Sequence, residues 1–384
     1  KYFMRRLAVD LTYQPTGGTL NQIIQIIENI ESYNFDDVIF YLSYDNLHLI
    51  PNNVSNKVSL KQLNFSKKSI ILRTIWAQLI LPLLLIFDKV DVLFCPGNIS
   101  PIINTKKKVQ WIHTIGPFEK KFISSFPFKE KFILIVTKYL MIFSSYTSDM
   151  VIFESNYTRD LFINRFKQKI DKSSVIHSGN DDFFKPVKAS KSNFANDNVV
   201  DSRNFIFTVS HLYPYKNLEL LIDSYYNLEL YKKELYILVA GSFSDQRYYN
   251  KLQLKLSNYS ISNYVIFLGR LEKEDLRYLY SQCKIFIFTS PFENFAYTLL
   301  EAMNCAAPII TTNTTSMPEA CGNAALYFPP NSEIELSQCI MSFLDNEKIR
   351  LKYKKMSLLK SKEYPIHSIV NNKTKFLLHQ LVER

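Results

Sequence analysis

Two glutamates, Glu293 and Glu301, bracket the start of a helix that follows an apolar run. The run Ile285, Phe286, Ile287, Phe288, Thr289, Ser290 reads as a buried parallel strand, bounded by a Ser-Pro turn at Ser290 and Pro291. Phe295, Leu299, Leu300 and Met303 then fall at helical spacing, so the chain goes strand, tight loop, helix. In an open α/β sheet, ligands bind beyond the carboxyl ends of strands. A helix N-terminus placed there presents unpaired N–H groups and partial positive charge, which suit a phosphate. Asn294, Phe295 and Ala296 supply that N-terminus, and the flanking carboxylates accept hydrogen bonds from hydroxyls. Such a place suits a ligand that is both a phosphate and a polyol, as a nucleotide sugar is. Taken alone, the same pair also fits a solvated helix carboxylate and a loop charge.

Three other stretches carry groups of this kind. An opening strand at Leu7 to Leu11 leads through Gln14, Pro15, Thr16, Gly17 and Gly18 into a helix. Glycine lets backbone approach a phosphate closely, although a Gly-Gly pair is also an ordinary turn. A strand from Val109 ends at His113, which fits either a core histidine at a strand end or a ligand-facing one. In the second half, the strand Phe205 to Val209 runs into the loop Ser210 to Asn217, which contains His211 and Lys216. By itself, Lys216 reads as a solvated surface lysine.

The elements that position these residues are two runs of alternating strands and helices. The 384 residues suffice for two full-sized cores, and 47% hydrophobic with 21% charged content describes a folded chain. Polar, aperiodic sequence over 185–204 reads as the linker. Further strands are expected at 37–42, 91–94, 150–153, 235–240, 265–271, 307–312 and 324–328. Ser155 is expected to cap a helix over 157–166, and a last amphipathic helix covers 366–381. The nearly continuous apolar stretch 70–87, interrupted by Arg73, Gln78 and Pro82, is expected as a buried helix of the sheet layer. A spanning helix, which needs about 20 such residues, is the alternative. Over 118–143, Phe122, Phe126, Phe128 and Phe132 interleave with Lys120, Lys121, Lys129, Lys131 and Lys138. That pattern fits an anionic membrane surface as well as a solvated basic helix over a normal core.

The net charge of +11 is spread along the chain with no nucleic-acid module, so membrane or phosphorylated substrates are the expected partners and nucleic acid is not. Five cysteines without CxxC spacing argue against a disulfide framework and a zinc site, and no metal-ligand cluster stands out. With no signal-peptide pattern at the start, the expected location is cytoplasmic, extended by the basic aromatic stretch to the inner face of the cytoplasmic membrane.

The string Phe292 to Met303 resembles the Glu-x7-Glu signature of the family-4 retaining glycosyltransferases. It continues Met303, Asn304, Cys305, Ala306, Ala307, Pro308, Ile309 against the family's Met-x-x-Gly-x-Pro-Ile. Glycines are usual in that family where Asn294, Ala296 and Ala306 stand; alanine is the smallest intrusion, so an altered fit is expected, not lost activity. Ser210 to Asn217 is similar to the family's Gly-Arg-Leu…Lys-Gly loop, with Lys216 matching, His211 in the arginine position and Ser210 in the glycine's. Val175 to Asp181 is similar to its strand-to-linker string.

The resemblance implies an α/β chain of GT-B fold, with two Rossmann-like domains facing a cleft. Residues 1–187 would form the acceptor side and 188–365 the nucleotide-sugar side, with 366–384 crossing back onto the first. It implies sugar transfer, with retention, from a nucleoside-diphosphate sugar to a glycan or polyprenyl-linked acceptor in bacterial O-antigen or capsule synthesis. No cofactor or obligatory metal is implied. The catalytic roles would fall to His113, Glu293 and Lys216. Lys216, His211 and the backbone at Asn294, Phe295 and Ala296 would hold the diphosphate, with Gly17 and Gly18 beside it. Glu293 would hold sugar hydroxyls, Glu301 the ribose hydroxyls, and His113 the sugar. A non-catalytic scaffold of the same architecture and a nucleotide-sugar epimerase are the other readings; the epimerase family lacks the glutamate string.

Overall fold

The computed structural model describes residues 5–13, 18–33, 35–50, 57–63, 70–103, 106–179, 181–188, 204–365, 374, 375 and 378. The chain divides into two compact units, Lys1–Gly179 with Ile366–Arg384, and Asn180–Pro365.

The first unit is a seven-stranded parallel sheet. Its strands are β1 (Arg6–Leu11), β2 (Asp37–Ser43), β3 (Val58–Leu63), β4 (Val92–Cys95), β5 (Lys107–Ile112), β6 (Met150–Phe153) and β7 (Ser173–Val175). They lie in the order β3-β2-β1-β4-β5-β6-β7, so the direction of winding reverses between β1 and β4. Apolar runs such as β4 and β6 are buried along their whole length, as parallel strands covered on both faces must be. Alternate residues serve opposite faces. Leu7, Val9, Phe40, Phe94, Trp111 and Ile152 pack under α1 (Gly18–Glu28), and Leu378 of the C-terminal segment joins the same cluster.

The opposite face carries two helical layers. Ala8, Ile39, Tyr41 and Leu93 pack under a π-helical turn (Trp76–Ile80) and α3 (Leu81–Phe87), which continue the helical stretch begun by α2 (Ile70–Ile75). Ile112, Val151 and Phe153 pack under α5 (Phe128–Thr147), which follows the short α4 (Lys120–Ser124). In α6 (Asn156–Phe166), Ser155 is the N-cap, its hydroxyl accepting from the Thr158 N–H at 3.1 Å.

The expectation for 70–87 is half met. The stretch is helical, but only the side bearing Trp76, Leu81 and Leu85 is buried; the other side, with Leu72, Leu79, Leu83 and Phe87, faces outward. The π turn explains the phase, because it spaces Trp76 and Leu81 five residues apart and still brings both inward. Among the described residues no helix is long and apolar enough to cross a membrane.

The second unit is a six-stranded parallel sheet. It comprises β8 (Phe205–Val209), β9 (Tyr236–Ala240), β10 (Val265–Gly269), β11 (Ile285–Phe288), β12 (Ile309–Thr312) and β13 (Ala325–Phe328). The order is β10-β9-β8-β11-β12-β13, with the reversal between β8 and β11. Ile206, Ile237, Ile285 and Ile287 face α7 (Leu218–Asn227), α8 (Gln246–Asn258) and α12 (Glu333–Asp345). Phe205, Phe207, Phe286 and Phe288 face the other way, toward α9 (Lys273–Gln282), α10 (Tyr297–Asn304) and α11 (Met317–Cys321). A last long helix, α13 (Glu347–Ser361), starts at Asn346, whose side chain accepts from the Ile349 N–H. Of the expected linker, 185–188 lies along α9, where Val187 N–H donates to Ser281 Oγ at 3.2 Å; residues 189–203 lie outside the described residues. So does most of the expected helix over 366–381, although Thr374, Lys375 and Leu378 are helical.

Helix α10 ends in a Schellman motif. Ala307 N–H bonds to Ala302 O and Ala306 N–H to Met303 O, with Ala306 at φ +56°. That left-handed position explains why glycine is usual there. Ala306→Gly is expected to raise stability by roughly 1 kcal/mol, seen as a higher thermal midpoint.

Candidate functional site

In the second unit the loops bearing the chemistry leave the sheet where winding reverses, which is where open parallel sheets hold ligands. These are the loop 210–217 after β8 and the loop 289–296 after β11. The structure brings their charged groups together: Lys216 Nζ lies 2.5 Å from Glu293 Oε1. The ammonium also stands over the rings of Tyr215, at 5.0 Å, and Phe288, at 5.7 Å. Burial opposes its charge, but the Glu293 carboxylate and Tyr215 outweigh that and hold Lys216 above the ordinary lysine range.

The Glu293 loop is fastened by hydroxyls from the end of β12 and the segment after it. Thr312 Oγ1 donates to Ser290 O, Thr314 Oγ1 to Pro291 O and Ser316 Oγ to Glu293 O, while Thr315 Oγ1 accepts from Glu293 N–H. The position of Glu293 is therefore set by backbone bonds on both sides of it. From the Lys216 side, Thr289 Oγ1 donates to the Lys216 carbonyl at 2.7 Å. Close approach of the 210–217 loop to the end of β9 depends on Gly241. A Cβ there would come within 2.0 Å of the Ser210 carbonyl oxygen.

His211 is turned toward the loop after β9, its Nδ1 2.6 Å from Ser242 Oγ. Burial, then the charges of Lys216 and Arg270, lower its pKa against the pull of Glu293, so the ring is neutral at pH 7. Arg270, at the end of β10, is a cation beside this loop that the motif reading passed over. Asn294, Phe295 and Ala296 are buried. Ala296 is the N-cap of α10 at φ −81°, an ordinary conformation that does not demand glycine. The Phe295 ring packs edge-on against Tyr364, 5.6 Å between centroids.

Glu301 lies in α10, and Tyr280 of α9 donates to its Oε2 at 3.0 Å. Burial pushes its carboxyl up to about 7, against the Tyr280 bond and Lys273, with Asp181 adding to the rise. Lys273 and Asp181 themselves pair at 2.5 Å. Tyr280 and Lys273 come from α9 and Asp181 from a distant stretch, and no local pattern marks them.

In the first unit, Gly18 opens α1 and Gly17 lies outside the described residues. His113 follows β5 and is buried with Nδ1 2.7 Å from Oε1 of Glu154, which follows β6. A carboxylate only accepts, so Nδ1 carries the proton and Nε2 is the nitrogen left for another group. Nε2 is buried with no hydrogen-bond partner among the described residues. Trp111 stacks on the ring at 4.9 Å, and Asn98 Oδ1 accepts from the N–H groups of His113 and Thr114. Tyr13, after β1, also has a buried hydroxyl with no such partner. Burial, and then Asp10 and Glu154, push that hydroxyl well up, so it remains a donor. Glu154 went unnoticed in the sequence, yet it stands at the carboxyl end of an apolar strand just as His113 does. That shared position was the available signal.

Two doubly wound parallel sheets with ligand-facing loops at the reversals make up the GT-B glycosyltransferase fold. Anabaena Alr3699/HepE in complex with UDP and glucose has it too, with a TM-score of 0.74 at 18% identity over 98% of this chain and 100% of that one. Residues 190–357 match the glycosyl transferases group 1 family, and the chain carries a glycosyltransferase domain of that group. It is 28% identical over 148 residues, 38% of this chain, to O-antigen chain mannosyltransferase B of Escherichia coli, and spans 39% of that relative. It is also 24% identical over 253 residues to N-acetylgalactosamine-N,N'-diacetylbacillosaminyl-diphospho-undecaprenol 4-alpha-N-acetylgalactosaminyltransferase of Campylobacter jejuni, covering 65% of this chain and 66% of that one.

Proposed function

We propose that the chain transfers a sugar, with retention at the anomeric carbon, from a nucleoside-diphosphate sugar to a glycan or polyprenyl-linked acceptor of a bacterial surface polysaccharide such as O-antigen or capsule. The observation that carries the reading is the Lys216–Glu293 pair at the β8/β11 reversal, beside the N-terminus of α10. Bond breaking leaves negative charge on the departing diphosphate and positive charge on the sugar ring. Lys216 and the backbone at Phe295 and Ala296 stabilise the first, while Glu293 accepts from sugar hydroxyls. His113 Nε2 takes a further sugar hydroxyl, and Glu301 the ribose hydroxyls. The relatives named for mannosyl and N-acetylgalactosaminyl transfer support the class of reaction and leave donor and acceptor to experiment. The test is release of nucleoside diphosphate from a panel of nucleotide sugars with and without glycan acceptors. Release that requires an acceptor is expected. None with any acceptor would favour the scaffold, and donor conversion without acceptor an epimerase.

An ionised Glu301 accepts from two hydroxyls, whereas the neutral acid keeps one oxygen as a donor. With its carboxyl near 7 in the free chain, nucleoside-diphosphate affinity is expected to rise between about pH 6 and about pH 8. Calorimetry should show Glu301→Gln, which cannot ionise, with a flatter pH dependence, and Glu301→Ala weaker by about 1–3 kcal/mol.

The reading includes work at an anionic membrane surface, supported by the lysines of α4 and α5. Replacing Lys120, Lys121, Lys129 and Lys131 by Ser is expected to weaken binding to anionic vesicles by about 1 kcal/mol for each lysine at the surface.

A further inference from the structure

Most of the exposed large hydrophobic side chains among the described residues lie on two helical stretches of the first unit. On 70–87 the outward stripe runs through Leu72, Leu79, Leu83 and Phe87, which is 80% exposed. The only charged side chain on this stretch is Arg73, whose charge acts on Asp10 and Tyr13. On α5 an apolar stripe begins at Phe128, 87% exposed, and continues through Phe132 to Tyr139 and Phe143. At 20 residues this helix is about 30 Å long.

The two stripes belong to one layer. Leu93, under α3, is in register with Lys108, and on the neighbouring strand Gln110 is in register with Val151, under α5. Both helical stretches therefore cover the same sheet face. The loop after β4 ties them: Gln78 Nε2 donates to Ser100 O at 3.1 Å, and Ser100 Oγ meets Ser148 Oγ, just past α5, at 3.2 Å. An apolar surface of this extent marks a contact with something.

Charge says with what. Residues 70–87 contain no carboxylate, and 120–147 contain only Glu130 against five lysines. A second copy would set lysine against lysine, whereas anionic headgroups complement them. We infer that the outer stripes of 70–87 and α5 form a single apolar floor that inserts into the headgroup–acyl boundary of an anionic membrane. The lysines of α4 and α5 rest on lipid phosphates at its edge. The inference rests on the membrane reading above and differs from it in assigning the hold to insertion as well as charge; it does not depend on sugar transfer.

The test is flotation of the whole chain with vesicles of phosphatidylglycerol in phosphatidylcholine, at physiological salt and at about 1 M, where screening falls to about 3 Å. Part of the binding is expected to survive high salt, and Leu79→Ser with Leu83→Ser to weaken it about tenfold or more at both salts. The four-lysine variant should lose chiefly the salt-sensitive part. A Leu83→Trp chain should be quenched by brominated phospholipid, which reports insertion with the remaining apolar face intact. Binding that disappears in high salt, with no quenching, would leave charge-based docking standing and overturn insertion. No flotation under any condition would overturn both. A dimer in sedimentation that the two serines dissolve, without change in flotation, would assign the face to a second copy instead.

Discussion

Replacing Lys216 by Ala is expected to lower turnover on the order of 10²-fold or more, as loss of a preorganised transition-state donor would. The side chain is held above the ordinary lysine range, so its charge is present throughout the working pH range. The effect should therefore appear at every pH and lie mainly in kcat, since the diphosphate gains charge as the sugar departs. The substitution also removes the cation from Glu293, whose loop is fixed by four hydroxyl–backbone bonds and will not collapse to compensate. Lys216→Arg should recover only part of the loss, because a planar fork does not replace a compact ammonium lodged between Tyr215 and Phe288. Steady-state kinetics on the three chains decides the matter. A Lys216→Ala chain with wild-type kcat would remove Lys216 from the reaction.

The second large effect is expected at Glu154. Glu154→Ala leaves the His113 Nδ1–H buried without its acceptor, which costs about 1–3 kcal/mol of stability. Glu154→Gln keeps the volume and is the more informative change. Its amide offers Nδ1 either a donor or an acceptor, so the ring is no longer restricted to the tautomer that leaves Nε2 free. Turnover is expected to fall on the order of tenfold to 100-fold, with the thermal midpoint much less affected than in the alanine chain. A purely structural role would lower the midpoint and leave turnover per folded molecule unaltered, so that result for Glu154→Gln would assign Glu154 to packing alone.

The second unit was legible in the sequence because its signals are local. The strand Ile285–Phe288, the turn and α10 follow one another without interruption, and each is buried as its apolar pattern requires. Ser155 was readable as a cap for the same reason. What could not be read lies between distant stretches. The support of Glu301 by Tyr280, and the threonines that fasten the Glu293 loop, depend on which strands are neighbours. β3 was missed because Val58, Leu60 and Gln62 alternate with Ser59, Lys61 and Leu63 at an exposed sheet edge, giving no apolar run. The stretch 70–87 was misjudged for a different reason. Its composition is apolar all round, and composition cannot say that half of a helix is left uncovered.

The π turn at Trp76–Ile80 amounts to one residue more than an α-helix needs between Trp76 and Leu81. It is geometrically equivalent to a one-residue insertion in an α-helix, and its effect is rotational. Deleting one residue there would turn α2 by about 100° relative to α3. The stripe would then be cut between Ile75 and Leu79, with Leu72 carried away from the side shared by Leu83 and Phe87. Homologues that lack the extra residue should therefore present a different flank from this part of the chain, even where every side chain is identical, and an alignment drawn without a gap would hide the difference.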